Sequence, residues 1–292
     1  MCVDYRRVNK ASRFDCFPLP RLDEALDAFA GAAVFSSLDL AMAYHQVLVS
    51  PSDNEKTAFI IHAGLYEMLK LPFGLCNAPS MHQRLMSIVL RGLIALICLA
   101  YLDNVIVYSR RLPQHIDDLR AMFERLRVSG LKSKPSKCQL YRNEVLYLGH
   151  VINKSGIAPD PSIIRVRATW PIPETVRAVQ SFLGFVNWYG DFILDTTRLT
   201  APLYALAAGC KGTEKIALGT EELAVCNSLK QAICAGPQLA HPDLTKQVIV
   251  QTDASKSAVG AELLQKSDDG VERPISFFSN TLTSPQQNYS TY

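Results

Sequence analysis

The chain has 292 residues, of which 48% are hydrophobic and 20% are charged, and its formal net charge is +3. These values exclude a disordered chain and are typical of a folded protein with a large core and about two to three domains. A charge so close to balance permits a nucleic-acid partner but does not favour one, because enzymes of many classes share it.

Cysteine spacing and hydropathy bear on the compartment of the protein. None of the eight cysteines belongs to a C-x-x-C pair, so the sequence does not indicate a structural zinc site. Most lie in apolar stretches, which predicts buried, reduced thiols in an intracellular protein, either cytoplasmic or nuclear. No signal peptide is evident, and the longest apolar run ends at Asp103 after about ten residues, which is too short to span a bilayer. We therefore expect no membrane partner.

Strand and helix patterns alternate along the first half of the chain. Alternating or continuous apolar residues predict strands, whereas apolar residues at helical spacing between cap and stop residues predict helices. The predicted strands cover 2–5 and 34–49, a hairpin covers 59–71, and two strands joined by a tight turn at Asp103-Asn104 cover 97–108. The predicted helices cover 79–90, with Asn77 as its cap, and 115–129, with Gly130 as its stop.

The second half continues with a strand over 145–151, helices over 175–193 and 221–235, and strands over 247–251, 259–264 and 274–278. Proline- and glycine-rich joints at 156–161 and 209–213 suggest domain boundaries. Because hairpins join most of the strands, the pattern favours an α+β architecture over a doubly wound sheet.

Two acids lie at the ends of strongly apolar segments. Taken alone, Asp39 is interpretable as a residue that caps the following segment, and Asp103 as an ordinary turn residue. If their strands pair, however, the two carboxylates converge and can bind a hard cation such as Mg²⁺. Two such ions about 3.5–4 Å apart activate a 3′-hydroxyl and stabilise a leaving pyrophosphate. Asn104 places an amide where a two-metal site would have another carboxylate.

Two segments near these acids have both a structural and a functional interpretation. Tyr44 is either a half-buried aromatic residue or part of a binding site, and its spacing alone favours the former. The segment 71–79 is rich in turn residues and precedes a helix, so it is either a structural loop or a backbone that approaches a ligand closely at Gly74.

Basic and acidic residues further along the chain leave the same choice open. Lys132, Lys134, Lys137 and Arg142 form either a solvated loop or a surface that contacts a phosphate backbone. Asp253 ends an apolar strand, and a single acid in that position is weak evidence for a nuclease.

A series of short segments, taken in order, matches a known family. The series is VDYRRVNK (3–10), PLPR (18–21), FSSLDL (35–40), YHQ (44–46), KTAF (56–59), LPFGLCNAP (71–79), QRLM (83–86), YLD (101–103), YLGH (147–150) and SFLG (181–184). In its order and spacing it resembles the reverse transcriptase of gypsy-like long-terminal-repeat retrotransposons, over essentially the whole chain.

This resemblance implies an α+β fold of the right-hand polymerase type. Palm and fingers, an antiparallel sheet with packed helices, would cover 1–152. A helical thumb and connection would cover 153–212, and a partial RNase H-like α/β domain would cover 213–292.

The resemblance also implies roles for individual residues. The metal ligands would be Asp39, Leu40 and Asp103, and the nucleotide contacts would be Leu40, Tyr44, Phe73 and Gly74. Tyr44 would lie under the incoming sugar and exclude a 2′-hydroxyl. Lys132, Lys134 and Lys137 would contact nucleic acid near the end of the palm, and Asp253 would be the first metal-binding acid of the RNase H-like site.

The implied activity is that of an RNA-directed DNA polymerase. It would use two Mg²⁺ (or Mn²⁺) ions to join deoxynucleoside triphosphates to the 3′-hydroxyl of a primer on an RNA or DNA template. The chain would then be a piece of a polyprotein that can also contain protease and integrase segments.

Three departures from the family pattern favour an alternative, a catalytically impaired or dead remnant that at most binds nucleic acid. Asn104 stands where the family has its third catalytic aspartate, and the loss of that charge predicts a rate reduced by about 10²-fold or more. The chain begins where the fingers should already be under way. It ends at Tyr292, just before a glutamate of the RNase H-like site, so RNase H cleavage by this chain alone is not expected.

Overall fold

The structure of the protein is a computed structural model that describes residues 3–20, 28–256, 258–283 and 285–289. It divides into two compact units, Met1–Tyr147 and Leu148–Tyr292, which we call the first and second units. The helices of the first unit are α1 (Arg6–Ala11), α2 (Ala78–Val89) and α3 (Leu112–Val128). Its strands are β1 (Val34–Asp39), β2 (Phe59–Ile61), β3 (Gly64–Tyr66), β4 (Cys98–Tyr101), β5 (Asn104–Ser109), β6 (Gln139–Arg142) and β7 (Glu144–Tyr147).

The main sheet of the first unit has the strand order β4-β5-β1-β6. Its neighbouring strands are antiparallel. β5 is buried from Val105 to Ser109, and its β-branched residues suit a strand enclosed between two neighbours. The register places Asp39 opposite Asn104. The end of β1 and the turn between β4 and β5 therefore lie at the same edge of the sheet.

Helices α2 and α3 pack against this sheet through apolar stripes. The buried core that they share with the strands includes Leu38, Met86, Val105, Val107, Leu119 and Met122. On its exposed side α2 also contacts the segment near the chain start, because Arg84 forms an ion pair with Asp15 at 2.7 Å. Helix α2 thus touches both the sheet and the segment around Asp15.

Two strand predictions in the first unit are wrong. The strand predicted over 34–49 ends at Asp39, because Met42 adopts a left-handed φ of 47° and the chain enters a 3₁₀ turn at Ala43–Gln46. The apolar pattern runs on past β1, but of the four turn residues Ala43 alone is buried. Residues 3–5 form no strand, and α1 begins at Arg6.

The hairpin and both helices are confirmed, with differences in detail. The hairpin is shorter than predicted and consists of β2 and β3. Asn77 precedes α2 but its side chain does not cap the helix. Instead its amide donates to the Arg13 carbonyl at 2.8 Å and accepts from the Asp15 backbone N–H at 3.1 Å. The tight turn is also shifted by one residue, since Asn104 is already the first residue of β5.

The second unit combines hairpins with a group of helices. Its strands are β8 (His150–Asn153), β9 (Gly156–Pro159), β10 (Val248–Ala254), β11 (Ala258–Lys266) and β12 (Glu272–Thr281). Its helices are α4 (Pro161–Ala168), α5 (Val176–Trp188), α6 (Thr196–Ala207) and α7 (Thr220–Ala235). β10, β11 and β12 form an antiparallel sheet. The helical core includes Val179, Phe182, Leu183, Leu203, Leu229 and Ile233.

The single strand predicted over 145–151 is wrong. Leu148 and Gly149 have φ values of 49° and 83°, and this left-handed pair separates β7 from β8. The helix predicted over 175–193 ends earlier, at Trp188, and a 3₁₀ turn at Gly190–Phe192 follows. The three strands predicted after residue 247 are confirmed as β10, β11 and β12.

The cysteines only partly follow the prediction. The seven that the structure describes are free thiols, of which Cys98 and Cys226 are buried and Cys16, Cys210 and Cys234 are exposed. Within the described ranges, no helix combines the length and the apolar character needed to cross a membrane.

Candidate functional site

A cavity of about 650 Å³ lies at the sheet edge where β1 ends and the β4–β5 turn begins. Seven of the residues predicted for a functional site line it, namely Asp39, Leu40, Tyr44, Phe73, Asp103, Lys134 and Lys137. Gly74, Asn104 and Lys132 lie nearby in sequence but are not among its lining residues. We call this space the palm cavity.

Backbone hydrogen bonds fix the two carboxylates at the cavity. The Leu40 N–H donates to the Asp103 carbonyl at 3.1 Å, which joins the end of β1 to the β4–β5 turn. On the other side, the Lys134 N–H donates to the Asp39 carbonyl at 2.8 Å. Asp39 and Asp103 are therefore held on neighbouring backbone segments, as their predicted convergence requires.

Lys137 binds one of these carboxylates directly. Its ammonium donates to Asp39 Oδ2 at 2.9 Å, and the Asp39 side chain is only 19% exposed. The hydrogen bond and the charge of Asp39 raise the pKa of Lys137, and the Asp103 charge adds to this. Lys137 was predicted to contact nucleic acid, and the structure places it at the lining of the palm cavity, paired with Asp39.

The donor atoms of the palm cavity fit a hard divalent cation. Asp39 and Asp103 supply carboxylate oxygens, and Mg²⁺ uses few protein ligands because it retains water and binds phosphate. No group of three or more His, Cys, Asp or Glu side chains suited to a metal occurs in the described part of the chain. Asn104 is exposed at the start of β5, opposite Asp39 and outside the cavity lining, and it carries an amide where a further carboxylate was expected.

Three rings form one wall beside the carboxylates. The Tyr44 ring lies edge-to-face with Phe73 at 5.2 Å and with His82 at 5.7 Å between centroids. Burial raises the pKa of Tyr44, and the nearby Asp103 charge raises it further. The phenol therefore stays protonated at neutral pH.

His82 is a member of this wall that the sequence did not single out. It is fully buried, and neither ring nitrogen has a hydrogen-bond partner among the residues that the structure describes. Burial lowers the pKa of His82, against the opposing influence of Asp103. The ring behind Tyr44 is therefore a neutral imidazole.

The loop that carries Phe73 is held by an asparagine from α1. Asn9 Nδ2 donates to the Gly74 carbonyl at 2.8 Å, and Asn9 Oδ1 accepts from the Cys76 N–H at 2.9 Å. Gly74 has a φ of +98°, which favours glycine, and a Cβ there would lie 3.5 Å from the Tyr5 ring. The positive φ of the turn therefore explains why position 74 is a glycine.

Lys132, another basic residue of the predicted cluster, has a backbone role. The Lys132 carbonyl accepts from the Ala41 N–H at 2.9 Å, and its N–H donates to Gln46 Oε1 at 2.6 Å. These bonds hold the segment after β1 against the segment after α3, and the Lys132 side chain is exposed.

Asp253 lies in the second unit, in a cavity of about 220 Å³ that Asp195 and Glu262 also line. Asp195 is already paired with Arg198 at 2.9 Å. Asp253 and Glu262 are thus the two acids of this cavity for which the structure shows no ion pair among the described residues.

Two family models match the chain. Residues 1–152 match the model described as reverse transcriptase (RNA-dependent DNA polymerase). Residues 218–292 match the model described as an RNase H-like domain found in reverse transcriptase.

Matches to transposon polyproteins extend over nearly the whole of this chain. The chain is 35% identical over 288 residues to the retrovirus-related Pol polyprotein from transposon 297 of Drosophila melanogaster, covering 99% of the chain and 26% of that protein. It is 33% identical over 300 residues to the polyprotein from transposon gypsy of the same species, covering 100% of the chain and 28% of the relative. It is 32% identical over 290 residues to the transposon Tf2-7 polyprotein of Schizosaccharomyces pombe, covering 99% and 22%. The chain therefore spans about a quarter of the length of these curated relatives.

Solved structures share the fold. The foamy viral protease-reverse transcriptase in complex with an RNA/DNA hybrid is 21% identical, with a TM-score of 0.82 over 98% of this chain and 38% of that chain. The same viral protein in complex with double-stranded DNA is 21% identical, with a TM-score of 0.84 over 99% and 60%. These matches confirm the α+β fold of the right-hand polymerase type. Because the first family model covers more than half of its residues, the chain belongs to the reverse transcriptase family found in retrotransposon Pol polyproteins.

Proposed function

We propose that this chain is the polymerase region of a retrotransposon polyprotein and joins deoxynucleotides to the 3′-hydroxyl of a primer on an RNA or DNA template. The observation that carries this proposal is that Asp39 and Asp103 line one cavity together with Tyr44 and Phe73. That cavity combines oxygen ligands for a cation with two lysines and an aromatic wall, which suits a nucleoside triphosphate.

The metal ligands in this proposal are the carboxylates of Asp39 and Asp103 and the backbone of Leu40. Two Mg²⁺ (or Mn²⁺) ions bound there would activate the primer hydroxyl and neutralise the leaving pyrophosphate. Lys137 would release Asp39 to the cation and, with Lys134, face the triphosphate charge.

The aromatic wall positions the sugar. Tyr44 is held from two sides by Phe73 and His82, so its ring has little freedom to move. We infer that this fixed ring leaves room for a deoxyribose and excludes a 2′-hydroxyl. Asn9 keeps the backbone of the loop at Gly74 close to the same nucleotide.

The wider assignments follow the same reasoning. We propose a polymerase domain over 1–152, a thumb and connection over 153–212, and an RNase H-like domain over 213–292. Protease and integrase segments would belong to other parts of the polyprotein. The enzyme would act in the cytoplasm or nucleus, where its template and deoxynucleotides occur, while Lys132 faces the template–primer from the palm surface.

Primer extension tests the polymerase proposal. The chain, its Asn104→Asp variant and the Asp39→Asn variant are compared on a primed RNA template with Mg²⁺ or Mn²⁺ and deoxynucleotides. Asn104→Asp should extend the primer about 10²-fold faster than the unchanged chain, because one electrostatic stabiliser is restored. Asp39→Asn should abolish extension.

Asn187→Asp provides the matched control. It adds the same charge on the exposed surface of α5, where the Asn187 amide donates to the Tyr204 hydroxyl. If Asn104→Asp extends no primer, or gains no more than Asn187→Asp does, the polymerase proposal fails.

The alternative of a nucleic-acid-binding remnant is favoured by Asn104 itself. This alternative predicts that a primer–template duplex binds in a salt-dependent way. It also predicts that neither the unchanged chain nor the Asn104→Asp variant incorporates deoxynucleotides. For the second unit we expect no cleavage of the RNA strand of a hybrid, because Asp195, one of the three acids at the Asp253 cavity, is already paired with Arg198. Degradation of a labelled hybrid by the purified chain would overturn that expectation.

A further inference from the structure

A buried glutamine on α2 contacts the turn that carries Asp103. Gln83 is only 2% exposed, and its Nε2 donates to the Ala100 carbonyl at 3.0 Å. Its Oε1 accepts from the Leu102 N–H at 2.8 Å. Both partners belong to the backbone of the β4–β5 turn region. One side chain thus bridges the backbone on the N-terminal side of Asp103.

The orientation of this amide is determined by chemistry. A backbone carbonyl can only accept and a backbone N–H can only donate, so the amide nitrogen must face Ala100 and the oxygen must face Leu102. A glutamine buried to this extent costs free energy unless its polar atoms are bonded. Since a leucine or methionine would fill the same space, packing alone does not explain an amide at this position.

The backbone of this turn is strained and requires contacts that stabilise it. Leu102 has a φ of 53°, in the left-handed region that costs a residue with a Cβ atom about 1–2 kcal/mol. Conformations of this kind persist only where surrounding contacts hold them. The next residue is Asp103, so a relaxed Leu102 would rotate the carboxylate away from the palm cavity.

We propose that Gln83 is a positioning residue, which fixes the strained turn and thereby aims the Asp103 carboxylate at the metal and nucleotide. The catalytic part of this inference rests on the proposed polymerase function. The structural part does not, because the two hydrogen bonds exist whether or not the chain polymerises.

Hydrogen exchange tests the structural part directly. In the unchanged chain the Leu102 amide should be protected, and in Gln83→Leu it should exchange about tenfold faster or more, since its hydrogen bond is gone. The Val105 and Ile106 amides, inside β5, should keep their protection. The matched control is Gln265→Leu in the second unit.

Gln265 is a close counterpart, being 6% exposed and bonded to the backbone of Asp243 in both directions. Its replacement should leave Leu102 unaffected. Equal Leu102 exchange in Gln83→Leu and the unchanged chain would overturn the proposal. So would a uniform loss of protection across β5, because that result indicates general destabilisation.

Gln83→Glu adds a readout that simple destabilisation does not produce. A protonated carboxyl can donate to the Ala100 carbonyl and accept from the Leu102 N–H, whereas a carboxylate faces the carbonyl with like partial charge. Burial favours the protonated form. Relative to intrinsic exchange rates, Leu102 protection should therefore rise from pH 8 to pH 5 in Gln83→Glu and stay constant in Gln83→Leu.

The catalytic part is tested in the Asn104→Asp background. Adding Gln83→Leu should lower kcat for primer extension about tenfold or more while the KM for deoxynucleotide changes little, because a misplaced Asp103 weakens the transition state more than substrate binding. If Asn104→Asp is itself inactive, the polymerase proposal fails. The hydrogen-exchange result still tests whether Gln83 fixes the turn at Leu102. If extension is unaffected by Gln83→Leu while Leu102 loses protection, the positioning role is overturned and the polymerase proposal stands.

Discussion

Two buried histidines of the first unit should respond to the same substitution in opposite directions. His82 and His115 are both fully buried. The ring nitrogens of His82 have no hydrogen-bond partner among the described residues. Those of His115 bond the hydroxyls of Ser36 at 2.7 Å and Ser109 at 2.9 Å. A phenylalanine removes unsatisfied atoms at position 82 but breaks formed hydrogen bonds at position 115.

The expected magnitudes follow from these partners. His82→Phe should raise the free energy of unfolding of the first unit by about 1–3 kcal/mol, the usual cost of a buried polar group without a partner. His115→Phe should lower it by about 1–3 kcal/mol, because two hydrogen bonds worth ~1 kcal/mol each are lost.

The pH dependence has a definite sign. Burial lowers the pKa of His82 in the folded protein, whereas in the unfolded chain it titrates near its usual value of about 6.5. Below that pH the unfolded state binds more protons, so the unchanged protein loses stability as the pH falls. His82→Phe removes this loss, so its advantage should grow from about pH 7.5 to pH 5.5.

The assay must report on the first unit alone. Both tryptophans, Trp170 and Trp188, belong to the second unit, so tryptophan fluorescence follows that unit instead. Amide exchange of the buried β5 residues Val105 and Val107 as a function of denaturant gives the required free energy. The reasoning is refuted if His82→Phe destabilises the first unit by more than about 1 kcal/mol, or if both substitutions shift stability in the same direction.

Two further predictions concern glycine geometry and site charge. Gly156→Ala should destabilise the second unit by more than about 2 kcal/mol, because at φ +147° its Cβ would lie 1.9 Å from the Leu239 carbonyl oxygen. Gly184→Ala, exposed in α5 with open space around it, should stabilise that unit by about 0.5–1 kcal/mol, and urea titration by tryptophan fluorescence separates the two. Lys137→Gln should tighten Mn²⁺ binding several-fold at low salt by removing the cation on Asp39, and an unchanged calorimetric affinity would contradict this.

The elements that sequence reasoning predicted well are those with local signals. The helices α2 and α3 were expected to within a few residues, because proline near the start and apolar spacing are local properties. The strand predicted to continue to Val49 is wrong, because the left-handed backbone at Met42 and the 3₁₀ turn after it end the strand at Asp39, and no apolar pattern marks that change. The break between β7 and β8 at Leu148-Gly149 was also not predicted, although a glycine within a strand pattern can indicate such a break.

In the candidate site, the two acids were predicted from the sequence, whereas the long-range contacts around them were not. Asp39 and Asp103 were expected to converge, and the pairing of β1 with β5 brings both to the palm cavity. The ion pair from Lys137 to Asp39 joins residues 98 positions apart, and no pattern in the sequence marks it. The same holds for the amide contacts of Asn9 and Gln83, because asparagine and glutamine at such positions look like ordinary polar residues.

Helix α2 has a consequence for how this region can change. Three successive residues point in three directions, with His82 behind Tyr44, Gln83 on the Asp103 turn and Arg84 on Asp15. A shift of the helix axis that improves one contact must disturb the other two, so substitutions on these three positions should be strongly non-additive. Grafting the whole segment 77–89 between related chains should therefore preserve function better than exchanging its residues one at a time, and natural variants should differ here in linked sets.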